Sequence, residues 1–280
     1  MKKWLRITLI VILSLIIVIS AFMIGRYYYN SHKQKDQFDQ LSQMVSSKRP
    51  PRPPIPVATE PTEPSGDEPA ITEPGEPEIP TQPVETEPPG PLPEYVEVSA
   101  LNPHMVGWLQ IEGTRVDYPV MHTPEDGEYY LYKDFYGKYS SHGCLFIEKR
   151  CDVDRPSDNI TIYGHNMKDG SMFAPILSYR TKSFWQEHRY IYFDTLNERH
   201  TYEVFAVFTA VATKGTGFAY HQFIDAYDQA EFDEFVQKCL EKSIYDTGIH
   251  PVYGEKLITL STCEYSQKNG RFVVVARRVV

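Results

Sequence analysis

The stretch KLITLSTCEYSQKNGRFVVVARRVV, residues 256–280, sets the question that decides the fold: why does a cysteine end one apolar run eight residues before the arginine that opens the next? Residues 256–262 are β-branched and apolar and predict a strand. Residues 271–280 predict another, and the intervening EYSQKNG is turn-rich, so the pair reads as a hairpin. Side chains alternate along a strand, which puts Thr259, Ser261 and Cys263 on one face and Ile258, Leu260 and Thr262 on the other. Arg271 shares a face with Val273 and Val275 by the same rule. A register that sets Cys263 near Arg271 brings a thiol and a guanidinium together at the sheet's end, but the pattern alone leaves that register open.

Outward from the hairpin, short β-like runs dominate: GWLQIEGTRVDYPV (107–120), GCLFIE (143–148), NITIYGHN (159–166), RYIYFDT (189–195) and HTYEVFAVFTAVAT (200–213). DTLNERH (194–200) reads as a hairpin turn. Many short strands at close spacing predict a mainly β domain, an antiparallel barrel or sandwich, with the barrel preferred. Helices are expected at 171–179 and, more clearly, at 228–244, where Phe232, Phe235, Val236, Cys239 and Leu240 recur at helical intervals. They would be peripheral.

The chain ahead of this domain, which is taken as residues 95–280, divides into unlike pieces. Residues 1–6 hold Lys2, Lys3 and Arg6 and are expected in the cytoplasm by the positive-inside rule. Residues 7–26 begin with ITLIVILSLIIVISAFMI, eighteen uncharged and mostly apolar positions, and are expected to be a transmembrane signal-anchor. No A-x-A-like cleavage site ends the run, so an uncleaved anchor is preferred to a signal peptide. The catalytic part would then be extracellular. Residues 27–49 form a juxtamembrane segment, with a short helix above the membrane expected in its polar stretch. Residues 50–94 carry 16 of the 22 prolines, ten acids against Arg52, and four copies of Thr-Glu-Pro. Such a segment cannot bury a core and favours extended polyproline II, so it reads as a disordered stand-off tether reaching on the order of 140 Å. With a net charge of −9 and no basic piece after the amino terminus, nucleic acid is not an expected partner.

Four cysteines in an extracellular domain raise the question of disulfides. Cys239 falls on the apolar helix face and reads as a buried small hydrophobe. Cys144 and Cys151 could bridge or stay thiols. Cys263 differs by its company: a cysteine attacks only as thiolate and needs a base or cation nearby. Most histidines sit in polar loops and read as surface residues. His165 follows the apolar strand NITIYG directly and could stand beside Cys263 at a strand end. Arg271 could hydrogen-bond a carbonyl oxygen as it gains charge during acyl transfer. Ser261, Thr262 and Glu264 flank the cysteine and are candidates to line a substrate site.

TLSTC, followed eight residues after its Cys by Arg in GRFVVVARR, resembles the signature of the sortases, cysteine transpeptidases of Gram-positive cell surfaces. YGHNMKDGSMFAPI (163–176) resembles their His-containing segment in its class B form, and NPHMVGWLQIEGTRVDYPVMH (102–122) resembles the start of the class B catalytic domain. The resemblance implies an eight-stranded sortase-type barrel with peripheral helices. It implies Cys263 as nucleophile, His165 as general acid/base and Arg271 as the transition-state arginine, with no cofactor and no metal. Substrates would be surface proteins with a C-terminal sorting motif, NPxT-like or PxTG-like, cut after Thr. A thioacyl-enzyme on Cys263 would pass the protein to an amine of a peptidoglycan precursor or of a pilin.

Rival readings remain. A metal hydrolase could use His142, Cys144, Cys151 and His165, though these form no usual paired zinc pattern. A hydrolytic cysteine peptidase would share the acyl-enzyme step, and an inactive surface scaffold would need none of the chemistry.

Overall fold

A computed structural model describes residues 3–52, 90–211, 217–266 and 268–279. Eight strands close a barrel in the order β1-β2-β3-β4-β7-β8-β6-β5. They are β1 (Met105–Gln110), β2 (Asp117–Met121), β3 (Leu145–Ile147), β4 (Asn159–Tyr163), β5 (Tyr190–Thr195), β6 (Thr201–Val211), β7 (Leu257–Glu264) and β8 (Gly270–Arg278). The run at 107–120, read as one strand from its composition, is broken at Gly113, whose φ of 73° turns the chain between β1 and β2. The β2–β3 and β4–β7 pairs are parallel and the remaining six are antiparallel.

β-Branched and aromatic residues fill the barrel because they pack well on a pleated surface. Trp108, Phe193, Phe205, Phe208 and Phe272 are buried at its centre. Asn159 is the polar exception. It sits fully buried with both ends used, its amide donating to the Phe223 carbonyl at 2.9 Å and its oxygen accepting from Thr259 at 2.8 Å.

Four α-helices lie outside: α1 (Lys3–Ser46), α2 (Val96–Leu101), α3 (Lys182–Glu187) and α4 (Gln229–Lys242). Asp228 caps α4 by accepting from the Glu231 amide at 3.0 Å, while the Glu231 carboxylate accepts from the Tyr227 amide at 2.8 Å. Phe232, Phe235, Val236 and Cys239 form its buried face, as its sequence period implies. The expected helix at 171–179 is instead a 3-10 helix, Ala174–Arg180, with Pro175 in its first turn.

α1 departs most from the expectation of a short helix above the membrane. It runs unbroken from the exposed apolar stretch into a segment whose Gln34, Phe38, Leu41 and Val45 are buried on the barrel. Those four are spaced by four, three and four residues, one stripe of a helix. Beyond α1, Arg52 grips Asp194 of β5 through two bonds of 3.0 and 2.8 Å and stacks over Tyr192 at 4.1 Å. Tyr95, on the far side of the proline-rich segment, donates to the same carboxylate at 2.6 Å. Glu94 is buried against Arg199, with a bond of 2.9 Å to the Arg199 Nε. The expected disordered tether falls mostly on residues 53–89, which lie outside the described residues.

Candidate active site

The parallel β4–β7 pair aligns Tyr163 with Ser261, so both chains emerge at the same end of the barrel two residues before His165 and Cys263. Three hydrogen bonds join the segment after β4 to the end of β7. The Gly164 amide donates to the Ser261 carbonyl at 3.2 Å, the Thr262 hydroxyl donates to the Gly164 carbonyl at 2.7 Å, and the Asn166 amide donates to the Cys263 carbonyl at 3.0 Å. A side chain at Gly164 would meet Leu145 at 2.5 Å and the Phe173 ring at 2.7 Å. Only glycine lets the chain pass that close before turning out at His165.

β8 supplies the third residue. Its ladder with β7 pairs Cys263 directly with Arg271. The register that the sequence left open therefore brings the thiol and the guanidinium together. Both side chains are half-buried, and Arg271 donates to the Gly270 carbonyl at 3.1 Å.

His165 is half-buried, and its Nε2 lies 2.7 Å from the Leu131 carbonyl. A carbonyl only accepts, so the hydrogen of the neutral imidazole sits on Nε2 and the Nδ1 lone pair is free. Burial pushes the imidazole pKa down, the Leu131 carbonyl opposes that shift, and His142 adds to it. The Tyr132 ring leans on the imidazole with centroids 5.4 Å apart.

These groups open on a cleft of about 750 Å³, walled in part by Tyr132, Phe146, Tyr163 and Tyr220. Ser261 and Thr262 belong to the lining, but their hydroxyls are engaged: Ser261 with the Tyr220 hydroxyl at 2.7 Å, Thr262 with Gly164. Glu264 lies outside the lining and is held by Arg180 at 2.9 Å and the Ser266 hydroxyl at 2.6 Å. Hydrogen bonds from Ser266 lower its pKa. Sequence reasoning did not find Leu131, Tyr132 or Tyr220. Asn166 stood in the quoted YGHN segment, where only a structure gives it a partner.

The other three cysteines are free and buried. Burial raises the pKa of Cys144 and Cys239 well above the ordinary thiol value and that of Cys151 to about 12, which keeps them as neutral thiols. Among the described residues no group of three or more His, Cys, Asp or Glu is arranged to hold a metal ion. His142 is not a surface residue: it is buried, with Nε2 2.9 Å from Asp169. His200 is buried as well.

The family model described as the sortase domain matches residues 109–279. Sortase B of Listeria monocytogenes is 32% identical over 188 residues, covering 66% of this chain and 74% of that relative. A crystal structure of sortase B from B. anthracis superposes with a TM-score of 0.67 at 25% identity, covering 90% of this chain and 99% of that one. A structure of S. aureus sortase B complexed with triglycine gives a TM-score of 0.61 at 26% identity, over 67% of this chain and 86% of that one.

Proposed function

From the premise that the chain belongs to the sortase family of transpeptidases, in its class B branch, we propose that Cys263, His165 and Arg271 are the catalytic groups of a membrane-anchored enzyme that transfers surface proteins onto an amine. The observation that carries this reading is the Cys263–Arg271 pair at the end of β7 and β8, with His165 tied to the same barrel end.

The free Nδ1 of His165 takes the thiol proton of Cys263, and the thiolate attacks the Thr carbonyl of an NPxT-like or PxTG-like sorting motif bound in the cleft. Charge develops on the carbonyl oxygen, and the Arg271 guanidinium stabilises it. As the C–N bond breaks, the imidazolium returns its proton to the departing amine, leaving a thioacyl-enzyme. A second amine, from a peptidoglycan precursor, gives its proton to His165 and displaces Cys263, forming the new amide bond. The triglycine found on the S. aureus enzyme supports an acceptor of the glycine-amine class.

α1 is the membrane anchor in this reading. It holds an uninterrupted apolar stretch long enough to cross a bilayer, and the cluster of Lys3 and Arg6 before it places the amino terminus in the cytoplasm and the barrel outside.

The test is mass spectrometry of the wild-type protein and Cys263→Ala with sorting-motif peptides, with and without triglycine. A ligated product cut after Thr that requires Cys263 supports transpeptidation. Hydrolysis unchanged by the amine would make the protein a peptidase, and no Cys263-dependent product from either motif class would sink the assignment.

A further inference from the structure

Between α1 and the barrel lies a second cleft, of about 400 Å³, away from the catalytic residues. On the helix it is lined from Tyr27 to Ser42, and on the barrel by the β1–β2 turn, Tyr118, His142 and Asp169. We propose that this cleft binds the headgroup of a membrane phospholipid, its phosphate held by Arg115 and Lys35. The proposal rests on the reading of α1 as a membrane anchor.

Height comes first. α1 is continuous, so each residue past the apolar stretch rises about 1.5 Å along its axis. Ser31, seven residues beyond Ile24, bonds Asp169 at 2.6 Å, which places the lower barrel about 10 Å beyond the last apolar residue. The headgroup layer occupies roughly 5–8 Å beyond the hydrocarbon on each side. The Tyr27–Ser31 end of the cleft therefore opens at the level of lipid phosphates, and Tyr27 and Tyr28 line it there, as aromatic residues do at membrane interfaces.

Charge comes next. Two of the three carboxylates in the lining are occupied: Asp117 accepts from Trp108 at 2.7 Å and from Ser42 and Arg49, and Asp169 accepts from Ser31, His142 and Ser171. The third, Asp39, lies one turn beyond Lys35, farther from the membrane end. Arg115 spends one Nη1 bond on the Asp169 backbone carbonyl at 2.9 Å. Neither Arg115 nor Lys35 is in an ion pair among the described residues. Two exposed cations beside an apolar floor of Phe38 and Tyr118 match a phosphate attached to an apolar body better than a free ion.

The full chain in detergent, titrated with phosphatidylglycerol and followed by native mass spectrometry, tests the site. Wild-type protein should retain one more tightly bound lipid than Arg115→Glu/Lys35→Glu, with affinity for that lipid falling at least tenfold in the double variant and returning in Arg115→Lys/Lys35→Arg. Both positions are exposed, so charge reversal leaves the packing of α1 in place. Equal lipid retention by wild type and double variant overturns the proposal, and so does displacement of the extra lipid by millimolar inorganic phosphate. Failure of the chain to enter lipid nanodiscs would instead count against the anchor reading.

Discussion

Cys263 and Arg271 face each other across the β7–β8 ladder, so the distance between sulfur and guanidinium is set by backbone hydrogen bonds rather than by a loop. A group positioned by a strand is held more tightly than one on a flexible segment, as stabilisation of a short-lived oxyanion demands. Arg271→Ala should lower kcat by about 10²–10³-fold with a small change in KM. Arg271→Lys should recover only part of the loss, because a point charge lacks the planar fork. Steady-state kinetics of peptide transfer would decide this. An equal rise in KM with kcat intact would reassign Arg271 to substrate binding.

His165 sets the pH dependence. Burial holds its folded pKa below the 6.5 of a free imidazole, so it stays neutral and able to accept the thiol proton as pH falls past that value. The acid limb of kcat/KM is expected below 6.5. The sign for stability runs the same way. Between the lowered folded pKa and the unfolded value the unfolded chain binds more protons, so stability falls as pH drops through that window. His165→Gln should flatten that loss in acid unfolding curves while removing transfer activity.

Gly164→Ala should be costly in two measurements at once. The added methyl meets Leu145 and Phe173, and overpacking of this kind costs about 1–3 kcal/mol. The displaced backbone also carries His165, so kcat should fall by more than the loss of folded protein explains. Thermal unfolding and single-turnover kinetics on the same preparation separate the two effects.

Tyr220→Phe leaves the buried Ser261 hydroxyl without its partner, at about 1–3 kcal/mol. Tyr220→Phe with Ser261→Ala should regain much of that loss, because removing both partners leaves no polar atom stranded. Denaturant unfolding of the four proteins completes the cycle.

The strands were legible because β-branched and aromatic residues recur where the barrel needs them, and α4 because its apolar period is regular and its cap is Asp228. Cys263, His165 and Arg271 stood out by residue type and by the segments around them. Their meeting did not, because it depends on the parallel β4–β7 pairing between residues about 98 apart, which local patterning does not encode. The docking of α1 had a signal in the spacing of Phe38, Leu41 and Val45, masked by the polar residues around them. The Asp194 contacts had none: a lone arginine among prolines and an ordinary tyrosine give no hint that both end on one buried carboxylate.

That shared carboxylate changes how the proline-rich segment bears on the enzyme's reach. Arg52 arrives at Asp194 from the α1 side and Tyr95 returns to it from the α2 side, so the chain leaves and rejoins the barrel at a single post. The segment between them is a detour, and α1 is the mast. Adding or deleting residues within 53–89 should leave the altitude of Cys263 over the bilayer unchanged. Cutting the post with Asp194→Ala, at about 3–5 kcal/mol for a stranded arginine, would let that spare length be paid out.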